Sequence, residues 1–117
     1  AVGEVRWATD ESQFDAVTAV SGSGPAYVFL LIECLAQAGV EAGLPADLAM
    51  DLARATVAGS GELARQSSEP AATLRQNVTS PGGTTIAGLA ELEKHGLRSA
   101  LIEAVTAATR RSVELGK

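Results

Sequence analysis

The sequence predicts an all-α chain: a bundle of six helices behind a short strand-like leader. Three observations carry this. The residues are 46% hydrophobic but only 3% aromatic, so a core must come from Ala, Leu, Val and Ile on closely packed helices, and abundant alanine favours helix. From Asp10 onward apolar residues recur at helical rather than alternating spacing. Glycine and proline fall between the apolar stretches, at Gly22 to Pro25, Gly43 to Pro45 and Pro81 to Gly83, as helix stops and starts do. At 117 residues the chain is one domain, two at most, able to bury about two-thirds of its unfolded surface.

Val2 to Thr9 alternate, with Val5 and Trp7 opposite Glu4 and Arg6, the period of a strand. No second strand follows, so this leader must fray, pair with another chain or belong to a sheet that is not here. Asp10 or Ser12 can cap a first helix, with Phe14, Val17 and Val20 on one face, ending near Ser21-Gly22. Ser23 as N-cap and Pro25 in the first turn open a second helix, about Gly24 to Ala42. Val28, Phe29, Leu30, Leu31, Ile32, Leu35 and Val40 make it apolar almost all round, the pattern of a helix buried on every side.

Gly43 can end that helix, and Pro45 suits the first turn of a third, about Ala46 to Gln66, with Leu48, Leu52, Thr56, Gly59 and Leu63 on one face. Gly59-Ser60-Gly61 within it calls for a kink or for a second helix close by. Ser67 or Ser68 and Pro70 open a fourth helix carrying Leu74 and Val78, which ends at Pro81-Gly82-Gly83. The fifth runs from Thr85 to about His95 and packs Ile86, Leu89 and Leu92, with Gly96 as its stop. The last spans Leu97 to about Leu115, with Leu101, Val105 and Ala108 inward and Arg110 and Arg111 solvated. His95 reads as a cation at a helix C-terminus rather than a catalytic base.

A net charge of −5 offers no basic footprint for nucleic acid or an anionic membrane. Cys34 is the lone cysteine; it reads as a small buried hydrophobe, which fits a reducing cytoplasm and rules out an internal disulfide framework. One Cys and one His give no metal site. Residues 1 to 12 carry four charges and no targeting core, and the apolar run Ala26 to Ile32 is cut by Glu33, short of the roughly 20 residues a bilayer needs. The apolar surplus on the second helix exceeds what six helices can hide. The core is therefore expected to continue across a subunit interface, in an intertwined dimer or larger assembly.

Two turns carry the chemistry. In Ser80-Pro81-Gly82-Gly83, Pro81 presets φ for the second position of a turn and Gly82 takes the positive φ of the third. Thr84 or Thr85 is then placed to cap the next helix, whose first N–H groups lack intrahelical partners and attract a carboxylate or phosphate. The same residues could equally be a plain connector. Gly22-Ser23-Gly24-Pro25-Ala26-Tyr27 is not a dinucleotide fingerprint, because Tyr27 stands at the third glycine and a helix precedes it.

At these turns the sequence resembles the C-terminal domain of pyrroline-5-carboxylate reductase, the last enzyme of proline biosynthesis. Asp15 to Tyr27 and Asn77 to Leu89 carry the resemblance, which extends through Gly39-Val40, Gly43-Leu44-Pro45, Leu92-Glu93, Arg98 and Ala104 and covers nearly the whole chain. It implies a helical domain of the 6-phosphogluconate dehydrogenase C-terminal type that forms an interleaved dimer, and a larger ring of dimers in many members. Residues 1–9 then resemble the last strand and linker of a Rossmann domain that is not here, and residues 10–117 the dimerisation and substrate-binding domain. On this reading the chain is a fragment, made by design or by proteolysis and inactive alone.

The resemblance also implies an oxidoreductase reaction: hydride transfer from NADPH or NADH, held mainly by the missing domain, to the imino acid 1-pyrroline-5-carboxylate, giving L-proline. Ser80, Pro81, Gly82, Gly83, Thr84 and Thr85 match the family's substrate-carboxylate turn, which Asn77 would orient. Thr85 matches the catalytic threonine whose hydroxyl reaches the ring nitrogen, and Ser23, Gly24 and Pro25 match the turn beside the nicotinamide. The alternatives are a stand-alone helical dimerisation module, or the helical domain of another imine or hydroxyacid reductase.

Overall fold

The structure, a computed structural model, describes residues 13–116. The strand-like leader and the candidate caps Asp10 and Ser12 lie outside the described residues. Within them the regular structure is helical: α1 (Phe14–Val17), a π turn (Thr18–Gly22), α2 (Gly24–Glu41), α3 (Ala46–Gln66), α4 (Ala71–Asn77), α5 (Thr84–Lys94) and α6 (Leu97–Leu115). The chain divides into two compact units, residues 21–67 and residues 13–20 with 68–116.

In the first unit α2 packs against α3. Their corner is closed by backbone bonds at the end of α2: the Gly43 N–H reaches the Val40 carbonyl at 2.9 Å and the Leu44 N–H reaches the Gly39 carbonyl at 3.0 Å. This paired closure needs a left-handed residue, and Gly43 supplies φ +107°. Pro45 is the N-cap of α3 rather than a first-turn residue. Its ψ of 145° is extended, and its carbonyl accepts the first helical bond, from the Ala49 N–H at 2.9 Å.

Small side chains bring these two helices together. A Cβ added at Gly39 would lie 3.1 Å from Ala49 Cβ, and Ala36, Ala49 and Ala53 are buried around that approach. Beside it, Leu35, Gly39, Leu44, Leu52 and Thr56 line an open apolar groove of about 380 Å³. α3 runs unbroken as one helix through Gly59 and Gly61. Beyond the helix's own adjacent backbone, nothing among the described residues comes within 4 Å of a Cβ built at either glycine.

The burial expected of α2 is not met within one chain. Phe29 is 63% exposed and Leu30 58%, and Cys34, expected to be buried, is exposed. Among the described residues the buried hydrophobics are four alanines, Ala19, Ala36, Ala49 and Ala53. The reason is geometric: a helix apolar all round needs partners on every side, and α3 covers one. Phe14–Glu41 is also long and apolar enough, by length and composition alone, to cross a bilayer. The shorter run Ala26 to Ile32 gave no such expectation, because it left out the turns of helix on either side.

In the second unit α6 is the central element, touched by α1 and by α5. The Ser112 hydroxyl donates to Asp15 at 2.7 Å, fastening α1 to α6. Gly96, at φ +78°, turns the chain from α5 into α6 as expected of a helix stop. Arg98 and Glu93 form an ion pair across that turn at 2.8 Å, and the bond holds the Glu93 carboxyl below its ordinary range. His95 is the C-cap of α5 and lies 3.5 Å from Glu91. The inner stripe of α6 holds at Val105 and Ala108, both half-buried, while Leu101 is exposed.

Candidate active site

The turn between α4 and α5 has the geometry that its residues dictate. The Gly83 N–H reaches the Ser80 carbonyl at 3.1 Å, closing a four-residue turn with Pro81 and Gly82 at its centre. Gly82 has φ +69°, and proline cannot take a positive φ at the position before it, so the turn is type II. Gly83 matters for room. A Cβ there would lie 3.3 Å from the Ser80 carbonyl oxygen, tight enough to press on the bond that closes the turn.

The N-cap of α5 is Gly83, with extended backbone at φ −89° and ψ −174°; neither Thr84 nor Thr85 caps the helix. The turn bond hands the chain straight into the helix, so both threonines fall inside its first turn. The first helical bond runs from the Ala87 N–H to the Gly83 carbonyl at 3.4 Å. The N–H groups of Thr84, Thr85 and Ile86 therefore have no carbonyl one turn back to bond, and no side chain caps them.

Three donors without intrahelical partners at the positive end of an 11-residue helix are what a seat for one small anion requires. Ile86 was not a candidate from sequence, because its side chain is plain core chemistry and only its backbone position gives it this role.

The other candidates of this unit lie in the turn itself and at the end of α4. Ser80, Thr84 and Thr85 are exposed, and their hydroxyls have no hydrogen-bond partner among the described residues. Thr85 is the second helical residue, two positions beyond the turn. Asn77 is the last residue of α4; it is exposed, and its amide meets no partner among the described residues. Thr79 makes the side-chain bond here, its hydroxyl donating to the Arg75 carbonyl at 2.6 Å. No titratable group stands in the turn, so the electrostatics of the seat are those of backbone dipoles.

Ser23, Gly24 and Pro25 belong to the other compact unit and form the entry to α2. Pro25 stands in the first turn, as its locked φ allows. Ser23 occupies the N-cap position without a side-chain cap, since its backbone is already helical at φ −85° and ψ −22° coming out of the π turn. All three are half-buried, and a Cβ built at Gly24 meets nothing within 4 Å.

Comparison with known proteins gives one consistent result. Residues 11–115 match the family model described as pyrroline-5-carboxylate reductase dimerisation. The chain is 63% identical over 107 residues to a pyrroline-5-carboxylate reductase of Synechocystis sp., covering 92% of this chain and 40% of that protein. Its identity to the enzyme of that name from Arabidopsis thaliana is 54%, covering 100% of this chain and 42% of the other.

Among solved structures, a pyrroline-5-carboxylate reductase from Coxiella burnetii superposes with TM-score 0.93 at 44% identity, covering 99% of this chain and 43% of that one. A Plasmodium falciparum pyrroline carboxylate reductase with NADP bound gives TM-score 0.86 at 42% identity, covering 92% and 41%. The chain thus spans about two-fifths of the length of the relatives it matches.

Proposed function

The chain belongs to the pyrroline-5-carboxylate reductase dimerisation family, and from that premise we propose that it is the dimer-forming, substrate-holding part of an enzyme that reduces 1-pyrroline-5-carboxylate to L-proline. The single observation that carries this reading is the seat of three unpartnered N–H groups, Thr84, Thr85 and Ile86, behind the type II turn. These donors hold the substrate carboxylate by charge-assisted bonds of about 1.5 to 3 kcal/mol each, less the cost of immobilising the ligand.

The Thr85 side chain, in the same first turn, presents a hydroxyl to the ring nitrogen. Donating to that atom draws electron density from the C=N bond and leaves its carbon the better hydride acceptor. NADPH or NADH, when bound, supplies the hydride. Ser23, Gly24 and Pro25 would lie against the nicotinamide, where the missing side chain of Gly24 lets the ring approach the backbone. The choice between the two cofactors belongs to the part of the enzyme that this chain does not span.

The assembly proposed is an interleaved dimer in the cytoplasm, built further into a ring of dimers as in many members of the family. Its support is the exposed apolar surface of α2, set against the four alanines that are the buried hydrophobics among the described residues.

Joining this chain to the N-terminal part found in its relatives and following NAD(P)H oxidation with 1-pyrroline-5-carboxylate tests the reading. Substrate-dependent oxidation with L-proline as product is expected, and its absence from a folded, dimeric protein overturns the proposal. Within that enzyme, Thr85→Ala lowers kcat/KM by about a hundredfold, the cost of losing one donor to developing charge. An unchanged kcat/KM removes Thr85 from the chemistry.

A further inference from the structure

From Arg75 to Gly82 every residue except Thr79 is exposed. Thr79 stands two residues beyond the end of α4 and one before the type II turn. Its N–H bonds the Gln76 carbonyl at 3.0 Å, and its hydroxyl donates to the Arg75 carbonyl at 2.6 Å. Had α4 continued, the residue 79 amide would have bonded the Arg75 carbonyl; that amide is diverted to Gln76, and the hydroxyl takes its place. The other bond to the Arg75 carbonyl, from the Val78 N–H, is long at 3.3 Å.

A continuous set of bonds therefore leads from α4 to the anion seat. The Thr79 hydroxyl grips Arg75, the peptide after Thr79 carries Ser80, the Ser80 carbonyl receives the Gly83 N–H, and Gly83 opens α5. Thr106 and Thr109 make the same kind of hydroxyl bond, to the carbonyls of Ile102 and Val105. Those two lie within α6, where the bond decorates a ladder already complete. At Thr79 it ties an exposed turn to its preceding helix.

We propose that Thr79 is a positioning residue for the substrate seat: its hydroxyl fixes the Ser80 to Gly83 turn to the end of α4, so that the Thr84, Thr85 and Ile86 amides are aimed before substrate arrives. The proposal rests on the carboxylate-seat reading above. It assigns Thr79 no contact with the reacting atoms. Preorganising donors in this way spares the ordering cost that binding would otherwise bear, so the hydroxyl acts on substrate affinity.

The test uses the full-length reductase that carries this domain and compares Thr79→Val, which keeps the shape and loses the hydroxyl, with Thr79→Ser, which keeps the hydroxyl. Thr79→Val is expected to raise KM for 1-pyrroline-5-carboxylate about tenfold, the scale of one lost hydrogen bond. kcat and the cofactor KM stay within about twofold of the parent, and Thr79→Ser restores the substrate KM. Where Thr79→Val folds poorly, Thr79→Ala against Thr79→Ser makes the same comparison.

A parental KM in the hydroxyl-less variant overturns the proposal, as does an equal rise in both variants or a matching change in the cofactor KM. Failure of the underlying reading looks different. Thr85→Ala would then leave kcat/KM unchanged, whereas failure of the Thr79 proposal alone leaves the Thr85→Ala loss intact.

Discussion

The hydroxyl of Ser112 donates to the carboxylate of Asp15 at 2.7 Å, joining two residues 97 positions apart in the chain. It fastens the short α1 to the C-terminal half of α6. α1 continues through the π turn into α2, but its start at Gln13 has no side-chain cap. The tie to α6 therefore stabilises α1. Ser112→Ala and Asp15→Ala should each destabilise the domain by about 1 to 2 kcal/mol, and the double variant by less than their sum. Thermal melts at one fixed protomer concentration measure this, since assembly makes Tm concentration-dependent.

Gly82 is the second test of the turn. At φ +69° it has open space around a built Cβ, so the penalty for alanine is conformational rather than steric. An L-residue forced into the left-handed region costs about 1 to 2 kcal/mol. In the full-length enzyme Gly82→Ala should raise KM for the imino acid while leaving the cofactor KM alone. A KM equal to that of the parent would mean that the turn does not shape the seat.

Glu93 gives a pH dependence of defined sign. Its bond to Arg98 is the main cause that holds its carboxyl below the ordinary value of 4.5, with the positive charges of Arg98 and Arg75 helping. A carboxyl depressed in the folded state contributes stability above its unfolded pKa, and that contribution is lost as pH falls through the folded value. Glu93→Gln should therefore lower Tm slightly at neutral pH, and the gap to the parent should close on acidification below about 4.5. A gap that stays constant across that range would show that the Arg98 pair adds nothing. Both side chains are more than half exposed, so the effect is that of a surface pair.

Phe29 tests where the core continues. It is 63% exposed on a helix whose neighbours Leu30 and Leu31 are 58% and 52% exposed. Phe29→Glu places a charge on that face and should dissociate or unfold the protein, read by light scattering and far-UV circular dichroism. A folded assembly of parental mass would show that the face is not an interface. Covering a side chain of this size is worth about 1.5 to 3 kcal/mol per protomer, so one substitution weighs heavily against assembly.

Much of the fold was legible because it rests on local rules. The bounds of α3 and α6, the stop at Gly96 and the positive φ at Gly43 and Gly82 follow from propensity, from proline and from the absent Cβ of glycine. The turn before α5 was legible for the same reason. Its cap was not. Whether Gly83, Thr84 or Thr85 starts the helix depends on which amide the Ser80 carbonyl captures, a contest of one residue that composition leaves open. From sequence Asn77 was the one residue named to orient the turn; the bond from the Thr79 hydroxyl to Arg75 emerges only once the end of α4 is folded.

By itself the sequence determined the helical class, the order of the helices, the type II turn and the excess of apolar surface, because each depends on neighbours within a few residues or on totals. Only the tertiary structure decided which surface stays uncovered. It packed α2 on α3 through Gly39 and Ala49, left Phe29 and Cys34 facing outward, and tied Asp15 to Ser112. Hydrophobic periodicity reports that a face must be buried, and burial is satisfied by any apolar partner. The identity of that partner is a matter of long-range geometry, which no local pattern encodes.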